Sequence, residues 1–184
     1  MIDCWLTLQN RYTLNMSENF KPSNSFEIEN SKGFFAILCD EYADFDKEHL
    51  NPRYALNCAI TSWHLTDWTY QEFFKTDSRF LDSRENRKPI SGLSKYQEFL
   101  KTKCSELEYM RMITNGSKHC KINQQYRTVI SSGDFSPYDF HRNDFLVPRF
   151  IIINDNNEEL DFENLFLKTK DFWKTFLDEL YNPE

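Results

Sequence analysis

The stretch NPRYALNCAITSWHLTDWTYQEFF, residues 51–74, predicts a long and largely apolar helix. Asn51 is a suitable N-cap, and Pro52 fits the first helical turn, where its missing N–H leaves no bond unmade. Apolar side chains recur at helical spacing along one stripe: Leu56, Ala59, Ile60, Trp63, Tyr70 and Phe74. Because this helix is too long and too apolar to lie on the protein surface, we expect it to belong to a helical bundle.

A second helix is predicted just before it, in SKGFFAILCDEYADFD, residues 31–46, with Ser31 as the N-cap. Its apolar side chains fall on one helical face: Phe34, Phe35, Leu38, Tyr42 and Phe45. Residues 1–30 are rich in Asn, Ser and Pro between the short apolar pieces CWLTL and FEIEN. We interpret them as an irregular arm.

After the long helix comes a polar and charged connector, residues 75–92, which at this length is either partly disordered or functional. The following segment, residues 93–119, predicts one bent helix or two helices. Ser105 with Glu108 three residues later fits a capping box, which favours two helices with a break near Cys104.

The pattern changes to short strands after Lys121. YRTVIS (126–131) alternates like a strand, FLVPRFIIIND (145–155) is β-branched, NDNN (154–157) indicates a turn, and EELDF (158–162) would return as a short strand. A final amphipathic helix follows in residues 163–180, with Leu165, Phe172, Phe176 and Leu180 on one side. We therefore predict a mainly α (α+β) fold: a helical bundle with a small antiparallel sheet near the C-terminus and a final packing helix.

Length and composition favour one domain over residues 1–184, divided into the arm (1–30), the bundle (31–122) and a hairpin or small sheet plus helix (123–184). Only 4 Gly and 6 Pro favour helices over a many-turned sandwich. The net charge of -7 opposes general nucleic-acid affinity, so such binding would need a local basic patch.

The cysteines indicate reduced thiols in a cytoplasmic protein, because their number is odd and they form no CxxC pair. They are Cys4, Cys39, Cys58, Cys104 and Cys120. No apolar run approaches the roughly 20 residues of a membrane span, and MIDCWLTLQN lacks the features of a secretory signal. HExxH, a Cys/His cluster and a di-iron carboxylate pattern are all missing from the sequence, so we predict no metal and no cofactor.

The first candidate site is ITNGSKHCKI, residues 113–122, together with the preceding arginine. If the helix runs through His119, then Arg111, Asn115, Lys118 and His119 share an arc of roughly 100°. The cations could hold a phosphate, the amide could orient it, and the imidazole could move a proton near neutral pH. Lys121 adds charge nearby.

Gly116 leaves a second interpretation open for this stretch. Asn-Gly is a turn signal, and glycine commonly follows the last residue of a helix. If the helix stops at Asn115, Lys118 and His119 leave the shared face. Basic residues at a helix end are also explained by the helix dipole alone.

The second candidate site is a polar stripe on the long helix, which spans an arc of roughly 120°. It consists of Asn57, Thr61, His64, Asp67 and Gln71. Because buried polar groups need hydrogen bonds, the stripe predicts contact with another helix, a second subunit or a ligand. The alternatives are a structural His64–Asp67 network or a solvated face.

NCAITSWHLTDW and ITNGSKH together resemble a divergent HEPN-type domain, and are similar to a group of uncharacterised bacterial proteins, over residues 31–122. The resemblance implies a bundle that dimerises so that polar helix ends meet in a cleft and cut RNA. His119 matches the motif histidine, Asn115 the polar residue before it, and Asp67, or else His64, the polar residue of the earlier helix. The motif arginine does not match, because Thr114 occupies its position.

The resemblance implies an RNA-binding protein or a metal-independent endoribonuclease of bacterial defence or toxin–antitoxin systems. Its catalytic residues would be His119, Asn115 and Arg111, and its binding residues would be Lys118, Lys121, Asp67 and His64. Arg111 or Lys118 would substitute for the motif arginine. Partners would be a second copy, RNA or another protein. The alternative is a non-catalytic protein–protein interaction module. The catalytic hypothesis further expects Asp67 to lie within reach of His119.

Overall fold

The computed structural model describes residues 22, 26–85, 88–118, 126–131 and 148–183. Five α-helices and five β-strands are formed within these ranges, and a π-helical segment at Tyr70–Phe74 continues the second helix. The helices are α1 (Ser31–Lys47), α2 (Pro52–Thr69), α3 (Gly92–Lys103), α4 (Leu107–Lys118) and α5 (Phe162–Tyr181). The strands are β1 (Ser83–Glu85), β2 (Lys88–Ile90), β3 (Tyr126–Ile130), β4 (Phe150–Asn154) and β5 (Glu159–Asp161).

This architecture confirms the predicted fold class, a helical bundle with a small antiparallel sheet and a C-terminal helix. The sheet has the strand order β3-β4-β5. Its register places Thr128 opposite Ile152, and Ile152 opposite Leu160. Ile152 is fully buried in the core that the sheet shares with α5.

Helix α2 forms the centre of the bundle, as its apolar sequence predicts. It packs against α1 and α4 and also contacts α3 and α5. Its N-terminus is the predicted one, since the Asn51 side chain accepts a hydrogen bond from the Arg53 N–H at 3.1 Å and Pro52 is the first helical residue. The helical backbone continues through the π-helical turn to Phe74, so the predicted range is confirmed.

The prediction of Ser31 as the N-cap of α1 is wrong by one residue. Asn30 is the cap, and its side chain accepts the Gly33 N–H at 2.9 Å. Ser31 is buried instead, because its N–H and its hydroxyl both donate to the carboxylate of Glu72, at 2.8 and 2.6 Å. Glu72 lies in the π-helical turn, so this contact fastens the start of α1 to the end of α2.

The break between α3 and α4 falls at Cys104, as predicted, but the capping box is not formed. The Ser105 hydroxyl donates to Glu106. The Glu108 carboxylate does not reach back to the cap, because it is bound by Arg111 and Lys101. The two helices are therefore separated without the reciprocal side-chain bonds that suggested the break.

The described part of the connector, residues 75–85 and 88–92, forms a 3-10 turn at Ser78–Phe80 and the β1–β2 hairpin. The Asp82 carboxylate accepts the Gly92 N–H at 2.7 Å, which joins the hairpin to the start of α3. Only glycine fits there, because an added Cβ would lie 1.8 Å from the Phe80 carbonyl oxygen.

Much of the core is aromatic, in a chain with 17 Phe, 9 Tyr and 4 Trp. Phe74 stacks on Tyr96 at a centroid distance of 4.7 Å, and Phe80 meets the Tyr96 ring edge-on at 5.3 Å. Trp173 of α5 is fully buried, and its indole N–H donates to the Ser62 carbonyl oxygen at 3.0 Å. The apolar face of α5 therefore packs back on α2, as the sequence predicts.

Candidate functional site

Helix α4 continues through Gly116 to Lys118, so the interpretation in which it stops at Asn115 is wrong. Arg111, Asn115 and Lys118 consequently lie within an arc of about 60° on one helical face. Asn115 is half-buried and Lys118 is exposed. His119 and Lys121 lie outside the described residues, so their predicted roles remain predictions.

Arg111 is engaged by its own helix. Its Nε donates to Glu108 Oε2 at 2.9 Å, and its Nη2 binds Glu108 Oε1. Lys101 of α3 lies 3.0 Å from the same carboxylate. Burial raises the pKa of Glu108, but hydrogen bonds from Arg111 and Lys101 outweigh it and hold the pKa below its usual value. The Glu108 charge thus offsets much of the positive charge that a phosphate would need.

Thr114 occupies the position at which the HEPN resemblance expects an arginine, and its side chain turns into the bundle. It is 9% exposed, and its hydroxyl donates to the Met110 carbonyl oxygen at 2.8 Å. Met110 and Leu107, on the same stripe of α4, are fully buried. The position therefore belongs to the packed interior, where a charged side chain would lose its hydration.

Asp67 lies near the end of α2 and contacts α3. The Gln97 amide donates to Asp67 Oδ1 at 3.2 Å and to the Thr66 hydroxyl at 2.9 Å. Burial raises the pKa of Asp67, while the charge of His64 and a hydrogen bond from Thr66 act in the opposite direction. His64 itself is exposed. These contacts fit a structural network better than a shared active-site cleft.

Asp67 and the end of α4 lie at opposite ends of α2. Gly116 and Ser117 line a cavity together with Pro52 and Ala55, at the start of α2. Asp67 follows Ala55 by twelve residues, which is about 18 Å along the helix axis at 1.5 Å per residue. Among the described residues, Asp67 is therefore not brought together with the polar end of α4. The expected contact between Asp67 and His119 stays a prediction, because His119 lies outside the described residues.

The rest of the predicted α2 stripe does not meet one partner either. The Asn57 amide donates to Glu41 of α1 at 2.9 Å, whereas Asp67 faces α3. Thr61 is buried and Gln71 is half-buried. The predicted polar stripe thus divides among different neighbours inside the bundle.

A cavity of about 350 Å³ lies between the start of α2, the end of α4 and the sheet. Its lining residues are uncharged and mostly apolar: Pro52, Ala55, Leu56, Ile113, Gly116, Ser117, Thr128, Phe150, Ile151, Ile152 and Phe162. Helical geometry places Arg111 and Asn115 roughly opposite Ile113 and Gly116 around α4. The cavity and the polar face are therefore two separate surfaces of one helix.

Sequence reasoning missed both this cavity and the buried Glu72. The spacing of Ile113 and Gly116 on α4 offered a weak signal for a small, apolar helix face. Glu72, an acid flanked by aromatic residues in TYQEFF, is 1% exposed and also accepts a hydrogen bond from the Tyr181 hydroxyl at 2.5 Å. Its partners are too distant in sequence to be inferred from local patterns.

The described ranges contain no group of three or more His, Cys, Asp or Glu side chains suited to holding a metal ion. None of the helices within those ranges combines the length and apolarity needed to cross a bilayer. Comparison with protein families, with curated proteins and with solved structures finds no match for this chain.

Proposed function

We propose that this chain is a non-catalytic helical interaction module of the cytoplasm that pairs with a second copy of itself at the end of α4. The observation that carries the proposal is the position of Thr114. Thr114 is buried, and its hydroxyl donates a hydrogen bond to the Met110 carbonyl oxygen. An RNA-cleaving HEPN domain would present its arginine at this position.

The other residues of the catalytic hypothesis support the same conclusion. Stabilising a phosphoryl transition state requires donors aimed at the developing charge. Arg111 is already bound by Glu108, and Asp67 is about 18 Å along α2 from the end of α4. The described residues thus offer polar groups that stabilise the bundle, rather than a set that converges on one phosphate.

The cavity supports pairing at the end of α4, because its apolar lining would favour burial of apolar side chains from the second copy. Phe150 lines the cavity and lies opposite Ile130, which is 58% exposed at the end of β3. The apolar surface therefore extends from the cavity onto the strand. This is the end of the bundle at which the HEPN resemblance implies that two chains meet.

Sedimentation velocity over a range of concentrations tests the pairing. Ala55 lines the cavity, so Ala55→Trp would fill it, whereas Ala36→Trp places the same ring on an exposed site of α1. We expect the wild type and Ala36→Trp to dimerise and Ala55→Trp to remain monomeric with an unchanged helical circular-dichroism spectrum. A wild type that stays monomeric, or equal dimerisation of both variants, would contradict the proposal.

A metal-independent ribonuclease is the second candidate, favoured by one observation. Helix α4 stays helical to Lys118, so Asn115 and Lys118 share a face immediately before His119 in the chain. In that reaction the RNA 2′-hydroxyl attacks the adjacent phosphorus, and the 5′-oxygen of the next nucleotide leaves with a proton. The products, a 2′,3′-cyclic phosphate and a 5′-hydroxyl, are detected by gel mobility.

A further inference from the structure

Positive charge is concentrated in one segment of this acidic chain. Residues 75–103 contain eight lysines and arginines but four aspartates and glutamates, a net charge of +4 in a chain of net charge -7. The remainder of the sequence therefore carries -11. The segment comprises the β1–β2 hairpin and α3, which are neighbours in the fold and are distinct from the cavity. Lys101 of α3 touches the polar face of α4, through Glu108.

Four cations of this segment form a surface that extends from the hairpin along α3 to its last residue. We call it the hairpin–α3 surface and define it by Arg84, Lys88, Lys95 and Lys103. The Lys95 ammonium donates to the Leu81 carbonyl oxygen at 2.9 Å, three residues before Arg84, so Arg84 lies within about 10 Å of that contact. Lys95 and Lys103 are eight residues apart on α3, which places them about 80° apart around the helix.

The acidic residues of the segment are largely occupied by other groups. Asp77 is bound by the Arg79 guanidinium, with its Nε at 3.0 Å, and Asp82 accepts the Gly92 N–H at 2.7 Å. Glu98, three residues after Lys95 on α3, pairs with Lys101 at 2.7 Å. Glu85, opposite Lys88 in the hairpin register, is the remaining acid of this segment.

The four defining cations, in contrast, have no carboxylate within salt-bridge distance among the described residues. Arg84, Lys88 and Lys103 are exposed, and Lys95 is half-buried. Lys103 lies over the Phe99 ring, with its ammonium 5.5 Å from the centroid. Arg84, Lys88 and Lys103 therefore present exposed cationic groups that can exchange water for phosphate oxygens, and Lys95 would do so on leaving the Leu81 carbonyl oxygen.

We propose that the hairpin–α3 surface binds the phosphodiester backbone of a nucleic-acid strand. Lys95 and Lys103 are about 12 Å apart along α3, so they can contact separate phosphates of one strand. The hairpin cations extend the row beyond the start of α3. Such binding is governed by charge and does not require a specific base sequence.

An anionic membrane is the competing ligand for a basic surface, but it fits less well. Peripheral membrane binding by a protein surface combines cations with several apolar side chains that enter the bilayer. Among the described residues of this segment, Leu81, 49% exposed, is the sole exposed large apolar side chain. A row of cations with one such side chain favours a phosphate backbone.

Fluorescence anisotropy with labelled single-stranded RNA and DNA of matched sequence, between about 50 and 200 mM KCl, tests the proposal. With K as the association constant, four phosphate contacts predict a slope of log K against log[KCl] of about -3. The affinity should therefore fall about fiftyfold between the lowest and the highest KCl concentration. Lys95→Gln/Lys103→Gln should reduce the slope to about -1.4. Lys47→Gln/Lys174→Gln makes the same charge change on exposed sites of α1 and α5 and should retain the wild-type slope.

An equal reduction of the salt slope in the two double variants would overturn the proposal, because it would show an effect of net charge alone. Binding of phosphatidylserine vesicles without binding of either nucleic acid would also overturn it, in favour of a membrane. Nucleic-acid binding by the monomeric Ala55→Trp variant would support the surface independently of dimerisation. RNA and DNA bound alike would support a contact with the shared phosphates, whereas binding of RNA alone would indicate recognition of the 2′-hydroxyl and overturn a purely backbone contact.

Discussion

Replacing Glu72 with glutamine should destabilise the bundle although it exchanges only one carboxylate oxygen for an amide NH₂ group. The buried carboxylate accepts three hydrogen bonds: the N–H and hydroxyl of Ser31 at 2.8 and 2.6 Å, and the Tyr181 hydroxyl at 2.5 Å. Burial and the bond to Glu72 raise the pKa of Tyr181 above its ordinary value. Its hydroxyl therefore remains a donor at neutral pH. Together these bonds join the start of α1, the end of α2 and the end of α5.

The magnitude follows from the change in the acceptor. A hydrogen bond to a charged group contributes about 1.5–3 kcal/mol to stability, against about 0.5–1.5 kcal/mol for a neutral pair. Glu72→Gln converts charge-assisted bonds into neutral ones and turns an amide N–H₂ toward one of the donors. We expect a loss of about 3 kcal/mol in the free energy of unfolding. Tyr181→Phe removes one donor and should cost about 1–2 kcal/mol.

Urea unfolding at neutral pH, followed by circular dichroism, measures these losses. Glu179→Gln is the matched control, because Glu179 is an exposed glutamate of the same helix as Tyr181. It should change the free energy of unfolding by less than about 0.5 kcal/mol. A Glu72→Gln variant as stable as this control would refute the reasoning, because it would show that the buried charge adds nothing beyond an amide.

Four further substitutions test the packing and the candidate site. Gly92→Ala should lower the free energy of unfolding in urea by about 1–3 kcal/mol, because its Cβ would lie 1.8 Å from the Phe80 carbonyl oxygen. Gly33→Ala should leave the free energy of unfolding unchanged or raise it by up to about 1 kcal/mol. Arg111→Ala should lower the free energy of unfolding by about 0.2–1 kcal/mol, since its ion pair is partly exposed; a loss above 2 kcal/mol would contradict this. Asp67→Asn should raise the urea midpoint at neutral pH. Because burial raises the folded-state pKa of Asp67, the charged form destabilises the fold above that pKa, and the gain should vanish as pH falls to the unfolded-state value near about 4.

Local patterns predicted the helices of this fold well where the decisive groups are neighbours in sequence. Asn51 and Pro52 define the start of α2 without help from the rest of the chain. The start of α1 was missed because Ser31 is held by Glu72, 41 residues away. The β1–β2 hairpin was missed because its short, charged strands lack the alternation of apolar residues that indicates a strand.

The candidate site shows the same limit. Arg111 and Glu108 are three residues apart on one helix, so their ion pair could have been inferred from the sequence, although the prediction assigned Arg111 to a phosphate. The sequence did not reveal the antiparallel packing of α2 and α4 that places Gly116 beside Ala55. This packing separates Asp67 from the end of α4. Helical periodicity defines which residues share a face, but it does not tell which end of a neighbouring helix that face will meet.

The most direct measurement is degradation of a labelled single-stranded RNA by the purified chain, with EDTA present and with His119→Ala as the paired variant. A non-catalytic module predicts that both proteins leave the RNA as intact as buffer alone does. Cleavage to 2′,3′-cyclic phosphate ends by the wild type, abolished in His119→Ala with an unchanged unfolding midpoint, would contradict it.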